Sequence, residues 1–357
     1  MIFSFFASLL VRILGPKRSL IAGTTGYWLF IAANLYPTWY TMVPASLLLG
    51  LAASILWVGQ GTYLTSTARS HSQSNGLHEG TVVGQFNGEF WGVFASHQFV
   101  GNLISLALLS DKTGGSSNNT TLLFSVFLCS MTMGTILMCF LSDRDDKREW
   151  SNTSPPTFKT LLKSVATLLL DVRMILIIPL IAYSGLQQAF VWAEYTKAIV
   201  QPSLGVSGVG GAMAVYGATD AVCSVIAGRL TSDIKSMTYI TAFGCFVHAV
   251  VFVWILLPGS TSAGVNAIFP LLTGGFLGIG DGVLNTQIYA LLALLFKHDT
   301  EGAFAQLKLW QSASISVVFF INTYISLNVM TLIMLVALVI SVAGFLLLVL
   351  CVEKAFH

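Results

Sequence analysis

Ten long apolar stretches run through the sequence, and they decide what kind of fold this chain can adopt. They are 19–36, 43–67, 82–109, 121–141, 173–197, 207–230, 237–257, 264–296, 302–326 and 329–352. A helix that crosses a bilayer needs about 20 apolar residues. Only 9% of the 357 residues are charged, whereas soluble domains contain about 25%. The sequence therefore predicts an all-α polytopic membrane protein, embedded in the lipid bilayer.

The first apolar segment, MIFSFFASLLVRIL, is too short to be a complete span. The residues before Arg12 extend about 17 Å as a helix, against a hydrocarbon core of about 30 Å. The segment also lacks the basic beginning and the small-residue cleavage site of a signal peptide. We expect it to be an N-terminal stub, the second half of a span whose beginning lies outside this sequence.

Basic residues predict how the chain is oriented. If the loop GPKRS faces the cytosol, alternate crossing places most of the 17 Lys and Arg residues on that side, as cytosolic loops require. The loop SDKTGGSSNNTT then faces the opposite side. It carries overlapping acceptor sequences at Asn118 and Asn119, which predict a glycosylation site there.

The longest polar stretch, DRDDKREWSNTSPPTFK, predicts the division of the chain. Residues 1–142 form an incomplete N-terminal helical half, 143–172 form a cytosolic linker, and 173–357 form a C-terminal half of six helices.

A weak internal repeat relates these two halves. Arg12–Ser19 is similar to Arg229–Ser236, and Asn87–Trp91 is similar to Gln306–Trp310, at nearly the same separation. Repeats in the same orientation are typical of the major facilitator superfamily. This pattern predicts that fold with ten full spans plus the stub, so that the first of twelve spans is missing.

Three further strings carry a more specific resemblance. GLAASILWVGQGTYLTSTA (50–68), FNGEFWGVFASHQFVGNLIS (86–105) and GIGDGVLNTQIYALL (278–292) resemble the Unc-93-like family, a branch of the major facilitator superfamily. The likeness covers nearly the whole chain. It implies a twelve-span fold and a protein that regulates potassium channels or escorts other membrane proteins. The chain departs from the family pattern at its N-terminus.

Charged residues inside the spans are confined to the spans that face the central cavity in major facilitator folds. They are Glu89, Glu194, Asp220, Asp281 and Lys308. A charge that faces lipid is costly, so this distribution agrees with the predicted architecture. Glu194 and Lys197, one turn apart, predict a salt-bridged surface pair. His248 lies in a peripheral span, and we expect a packed, neutral histidine.

Asp281 is the sharpest candidate for a functional residue. It lies near the middle of its span in GGFLGIGDG, where glycines weaken a helix. Interrupted helices at the bilayer midplane form ion and substrate sites in carriers. The alternative is that the glycines allow close packing and that Asp281 bonds a neighbouring backbone. Asp220, Gln187 and Gln60 complete the candidate polar lining.

Gly84, Gly88 and Gly92 recur every four residues and predict a close helix–helix contact. Glu89 lies at the edge of the same face. It is either a latch that pairs with a neighbouring helix or a site for a proton or cation.

Several classes of function are excluded by what the sequence lacks. It contains no GxxxxGK[ST], HExxH or GxSxG string, and its five cysteines show no CxxC spacing. We therefore expect no enzyme, no cofactor and no metal site, and the net charge of +2 gives no indication of nucleic-acid binding. Two functions stay open: a regulator or escort of another membrane protein such as a potassium channel, and a secondary carrier of a small solute or cation that uses Asp281, Asp220 and Glu89. The plasma membrane and endomembranes both stay open as its location.

Overall fold

A computed structural model describes residues 2–109, 117–142, 167–257 and 268–356, and these ranges are helical almost throughout. The helices are α1 Ile2–Leu14, α2 Pro16–Ala33, α3 Trp39–Asn75, α4 Glu79–Leu109, α5 Ser117–Cys139, α6 Val172–Phe190, α7 Gln201–Leu230, α8 Ile234–Leu256, α9 Ile268–Leu295, α10 Thr300–Ile321 and α11 Leu327–Phe356. A π-helical segment, Val191–Val200, continues α6 into α7.

Eight helical stretches in these ranges are long and apolar enough to cross a membrane. Helices α2 and α4 lie where the sequence predicts spans, but they are not among the eight. The predicted all-α membrane class is confirmed. The total of ten spans and a stub stays a prediction.

The chain forms two compact units. The first contains Met1–Ser70, Lys112–Met174 and Phe296–Leu309, and the second contains the remaining segments. The division into two halves at residue 143 stays a prediction, since residues 143–166 lie outside the described ranges.

In the first unit, small residues bring α2 against α3. A Cβ added to Gly26 would lie 2.2 Å from the Cβ of Ala52, so no larger residue fits at that crossing. Trp28 of α2 donates its indole N–H to Thr132 Oγ1 of α5 across 2.9 Å. The unit therefore combines close backbone packing with a hydrogen bond between helices.

In the second unit, α7 packs along both α4 and α9. α8 packs against α9 and α11. α7 is bent near its beginning, where Gly205 has φ 74° and ψ 173°, a conformation that glycine adopts without steric cost. α7 thus contacts α4, α9 and the π-helical segment.

Candidate functional site

Two carboxyl groups are buried where α7 and α9 cross. The side chains of Asp220 and Asp281 are each only 4% exposed. Asp281 accepts a hydrogen bond at Oδ2 from the Tyr216 hydroxyl and at Oδ1 from Asn285 Nδ2, the latter across 3.0 Å. Asp220 accepts a hydrogen bond at Oδ1 from Ser224 Oγ across 3.1 Å. The structure thus brings two sequence-predicted candidates into one polar cluster.

The glycines of α9 allow this close approach. A Cβ added to Gly282 would lie 2.8 Å from Asp220 Oδ1, and one added to Gly278 would lie 2.3 Å from the carbonyl oxygen of Tyr216. These distances are shorter than van der Waals contact. The backbone of α9 therefore touches α7 directly on the face beside Asp281.

Of the two interpretations of these glycines, the interrupted helix does not match the structure. The helix runs unbroken from Ile268 to Leu295, and it contains no residue with positive φ. Glycine lowers helix propensity by only about 1 kcal/mol relative to alanine, and packing against α7 outweighs that cost. The alternative of close packing matches this geometry, but Asp281 bonds side chains of Tyr216 and Asn285 rather than a backbone group.

Gln187 of α6 is also drawn into the cluster. Its side chain is fully buried beside the Tyr216 hydroxyl, yet neither amide atom has a partner with hydrogen-bond geometry among the described residues. Gln188 contacts Asn285 Oδ1 across 3.4 Å. The cluster therefore contains spare hydrogen-bonding capacity.

His248 of α8 packs against the backbone of α9 at Leu277 and Gly280. It is fully buried; its Nε2 lies 3.1 Å from the carbonyl oxygen of Leu277, and its Nδ1 lies 2.8 Å from the Tyr183 hydroxyl. A carbonyl can only accept, so Nε2 carries a proton. A fully buried imidazole that has no carboxylate partner stays neutral, and Nδ1 therefore accepts from the Tyr183 hydroxyl. This is the hydrogen bonding of a packed, neutral imidazole.

The glycines of α4 face α7. A Cβ added to Gly84 would lie 2.4 Å from Thr231 Cβ, one added to Gly88 would lie 2.6 Å from the Cα of Gly228, and one added to Gly92 would lie 2.4 Å from Val225 Cγ2. The three glycines therefore form one surface of contact with α7 over two turns.

Glu89 does not join the buried cluster. Its side chain is exposed on α4 and accepts a hydrogen bond from Gln85 Nε2 across 2.9 Å, within the same helix. The structure shows no partner for it on a neighbouring helix among the described residues.

The remaining lining candidate, Gln60, lies in the first unit. It is buried, and its amide atoms have no hydrogen-bond partner in the described ranges. One turn away on α3, the ring of Trp57 lies 4.4 Å from Lys308 Nζ. Trp57 also donates its indole N–H to the Tyr27 hydroxyl across 3.1 Å. Lys308 therefore packs against a tryptophan that lies one turn from Gln60, and the role of Gln60 as a lining residue stays a prediction.

The prediction of a surface salt bridge between Glu194 and Lys197 is wrong. Glu194 is only 3% exposed and lies in the π-helical segment, whereas Lys197 is exposed and forms no ion pair with it. The wider turn of a π-helix changes which residues share a face, so one-turn spacing no longer implies contact.

Two acidic groups outside the spans have altered pKa values. Arg173 donates a hydrogen bond from its Nη2 to Oδ2 of Asp171 across 2.7 Å. Hydrogen bonds from Arg173 lower the pKa of Asp171. The backbone N–H of Ser236 donates to Asp233 Oδ1 across 2.8 Å at the start of α8 and lowers the pKa of Asp233. Both groups are held as carboxylates at neutral pH.

The predicted glycosylation sites are described only in part. Asn118 and Asn119 lie in the first turn of α5, but their side chains lie outside the part that the structure describes. Glycosylation at these positions stays a prediction.

Three residues that donate hydrogen bonds to the two carboxyl groups were not predicted from the sequence: Tyr216, Ser224 and Asn285. A signal was present: Tyr216, Asp220 and Ser224 are four residues apart, as are Asp281 and Asn285. Residues at this spacing lie on one helix face.

Comparison with known proteins decides the family. Residues 1–346 match the family described as "Ion channel regulatory protein UNC-93". The chain belongs to this family. It is a multi-pass membrane protein of the Unc-93 type, in a family of regulatory membrane proteins and not of enzymes. The resemblance found in the sequence is confirmed.

Relatives occur in plants and animals. The chain is 62% identical over 339 residues to "UNC93-like protein 3" of Arabidopsis thaliana, which covers 93% of this Unc-93 chain and 73% of the relative. It is 32% identical to "Protein unc-93 homolog A" of Homo sapiens, over 98% of this chain and 83% of the relative. It is 27% identical to the Caenorhabditis elegans protein named "Putative potassium channel regulatory protein unc-93", over 96% of this chain and 53% of that protein.

A solved structure shows the same fold. The Escherichia coli fucose:proton symporter FucP superposes with a TM-score of 0.68, covering 98% of this chain and 87% of FucP at 12% identity. A structure of FucP in the outward conformation, described as a major facilitator superfamily transporter, gives a TM-score of 0.63 at 13% identity. The predicted major facilitator fold is confirmed. At this identity the likeness concerns the fold alone.

Proposed function

We propose that this Unc-93 protein regulates an ion channel by binding to it within the bilayer, and that the channel conducts potassium. The observation that carries the proposal is the match of residues 1–346 to a family described as ion channel regulatory. The name of the Caenorhabditis elegans relative supports potassium as the conducted ion. We expect no catalytic activity from the chain itself.

The helix surfaces fit a protein that works in contact with other molecules in the membrane. Only 6% of the apolar, membrane-spanning part of α5 is buried within the structure. Met133 and Leu137, at 67% and 66% exposure, are among its outward apolar side chains. In a bilayer such a surface contacts either lipid or another membrane protein, so α5 is where a search for a bound channel begins.

The test is site-specific photo-crosslinking in cells that express the full chain. A photoreactive residue replaces Met133 or Leu137 on α5, and a matched control replaces Leu180 of α6, which is 1% exposed. We expect the α5 positions to crosslink to a channel subunit and the Leu180 position to give no such product. Further positions on the exposed faces of α8 and α11 extend the scan if α5 faces lipid.

Two outcomes would contradict the proposal. One is a scan of all exposed faces that recovers no channel subunit. The other is uptake of a solute by purified chain in liposomes that Asp281→Asn abolishes, because that result indicates a secondary carrier. Under the proposed function Asp281→Asn keeps the crosslinks, since Asp281 is buried and cannot touch a partner.

A further inference from the structure

Among the residues that the structure describes, none supplies a positive charge that compensates the Asp220–Asp281 cluster. No Lys, Arg or His of the described ranges forms an ion pair with either carboxyl group. The titratable side chains that interact electrostatically with the two carboxyl groups are Tyr183 on α6 and Tyr216 and Cys223 on α7. His248 and Cys245 of α8 lie beside Tyr183, Tyr289 of α9 packs against α4, and Glu89 of α4 is exposed. None supplies a cation, because His248 is hydrogen-bonded as a neutral imidazole. The basic residues Arg229 and Lys235 lie at the ends of α7 and α8.

Two adjacent ionised carboxylates cannot persist there without compensation. Burying an isolated carboxylate in an apolar interior costs many kcal/mol, and such a group takes up a proton instead. A second carboxylate nearby increases the cost, so that a pair of carboxyl groups shares protons. The cluster must therefore hold at least one proton or another cation.

Hydrogen bonding distinguishes the two carboxyl groups. Both oxygens of Asp281 accept hydrogen bonds, from Tyr216 and from Asn285, which is the environment of an ionised carboxylate. Asp220 accepts one, from Ser224. The proton is therefore expected on Asp220, whose negative charge would be less well stabilised.

The buried Gln187 amide places a second hydrogen-bonding group beside the Tyr216 hydroxyl. Gln187 is fully buried beside the Tyr216 hydroxyl, and its Oε1 has no donor among the described residues. When Asp281 is ionised, Tyr216 donates to it. When Asp281 takes up a proton, its need for that donor disappears, and Tyr216 can donate to Gln187 Oε1 instead. The two protonation states of Asp281 would therefore differ in the acceptor that Tyr216 uses.

We propose that Asp220 and Asp281 form a proton-binding site inside the membrane, with Tyr216 as a donor that switches between Asp281 and Gln187. At neutral pH the site holds one proton, on Asp220, and carries one negative charge on Asp281. Acidification adds a second proton, taken from solvent, to Asp281. The proposal does not depend on the regulation of a channel, since it concerns the chain alone.

The test is infrared spectroscopy of the purified full chain in lipid, which detects the carbonyl stretch of a protonated carboxylic acid. At neutral pH we expect this band in the wild-type protein and in Asp281→Asn, and its loss in Asp220→Asn. Lowering the pH should add a second band in the wild type that Asp281→Asn lacks. Glu89→Gln, which changes an exposed carboxyl group, is the matched control and should keep both bands.

Three results would overturn the proposal. The first is that the wild type shows no acid band at neutral pH, and the second is that this band survives in Asp220→Asn. The third is that the band of the wild type disappears when sodium or potassium is added, which would mean that a metal cation occupies the site. If Asp220→Asn fails to fold, Ser224→Ala replaces it, because removing the donor to Asp220 must shift the frequency of the band. Tyr216→Phe should make Asp281 take up its proton at higher pH, and an unchanged titration would contradict the switching role.

Discussion

Gly88 of α4 and Gly228 of α7 meet where the two helix backbones touch. A Cβ added to Gly88 would lie 2.6 Å from the Cα of Gly228, and one added to Gly228 would lie 2.5 Å from the Cα of Gly88. The atoms in the way belong to the backbone, so neither helix can yield by rotating a side chain. The contact fixes α4 beside the helix that carries Asp220.

Gly88→Ala should therefore destabilise the protein. Overpacking of a closely packed contact costs about 1–3 kcal/mol, which is expected to lower the midpoint of thermal unfolding measured on the purified protein in detergent. Gly101→Ala, also on α4, is the control, because a Cβ there meets no atom of the described residues within 4 Å. Equal midpoints for the two variants would contradict the contact.

The same comparison can be made within α9. A Cβ added to Gly280 would lie 2.2 Å from His248 Nε2, whereas one added to Gly275 meets its nearest atom at 3.6 Å. Gly280→Ala should displace the imidazole from Leu277 and lower the unfolding midpoint. Gly275→Ala should be neutral or stabilising by up to about 1 kcal/mol, since alanine favours helix. The reverse order of stability would show that His248 does not pack against Gly280.

These glycines show what the sequence could and could not predict. Long apolar runs predicted the helices, because a bilayer demands them, and the four-residue spacing of Gly84, Gly88 and Gly92 predicted a contact face. The sequence could not predict that α9 stays unbroken, since glycine propensity is local and the compensating contact with α7 is not. The hydrogen bond from Tyr216 to Asp281 depends on how far α7 is shifted along α9. A residue pattern within one helix does not predict that shift.

Arg12 and Asp299 form an ion pair in the first unit, with Glu301 3.7 Å from Arg12 Nε. Asp299 also accepts a hydrogen bond from the backbone N–H of Gly302 across 3.0 Å and so caps α10. Asp299→Asn removes the charge but can keep the cap, and Asp299→Ala removes both. We expect Asp299→Asn to cost about 1 kcal/mol or less, as partly exposed pairs do, and Asp299→Ala to cost more.

Salt provides the check on this pair. The difference in unfolding midpoint between wild type and Asp299→Asn should shrink as ionic strength rises, because salt screens exposed charges. A double-mutant cycle that combines Asp299→Asn with Arg12→Gln should give a coupling free energy that shrinks with ionic strength in the same way. A coupling of zero at low salt would mean that the ion pair does not stabilise the unit.

Asp233 is the N-cap of α8 and forms a capping box with Ser236. Its side chain accepts a hydrogen bond from the backbone N–H of Ser236, and the Ser236 hydroxyl lies 3.0 Å from the backbone N of Asp233. That hydrogen bond lowers the pKa of Asp233, so the carboxylate binds its proton less readily in the folded protein. Its contribution to stability is present above the pKa of an unfolded aspartate, about 3.9, and is lost as the pH falls through the lower folded value.

Asp233→Ala should cost about 1 kcal/mol at neutral pH, as the loss of a helix cap does. Asp233→Asn should keep most of the cap and remove its dependence on pH. Unfolding midpoints measured between neutral and strongly acidic pH should therefore converge for wild type and Asp233→Ala only at the acidic end. A constant difference across the whole range would contradict the role of the carboxylate.

The most direct measurement of the central claim is the potassium current of cells that express a crosslinked channel with and without this Unc-93 protein. The account predicts that the chain changes current density or open probability, and that Asp281→Asn still crosslinks to the channel. An unchanged current, with both proteins present in the same membrane and crosslinked to each other, would contradict regulation of that channel.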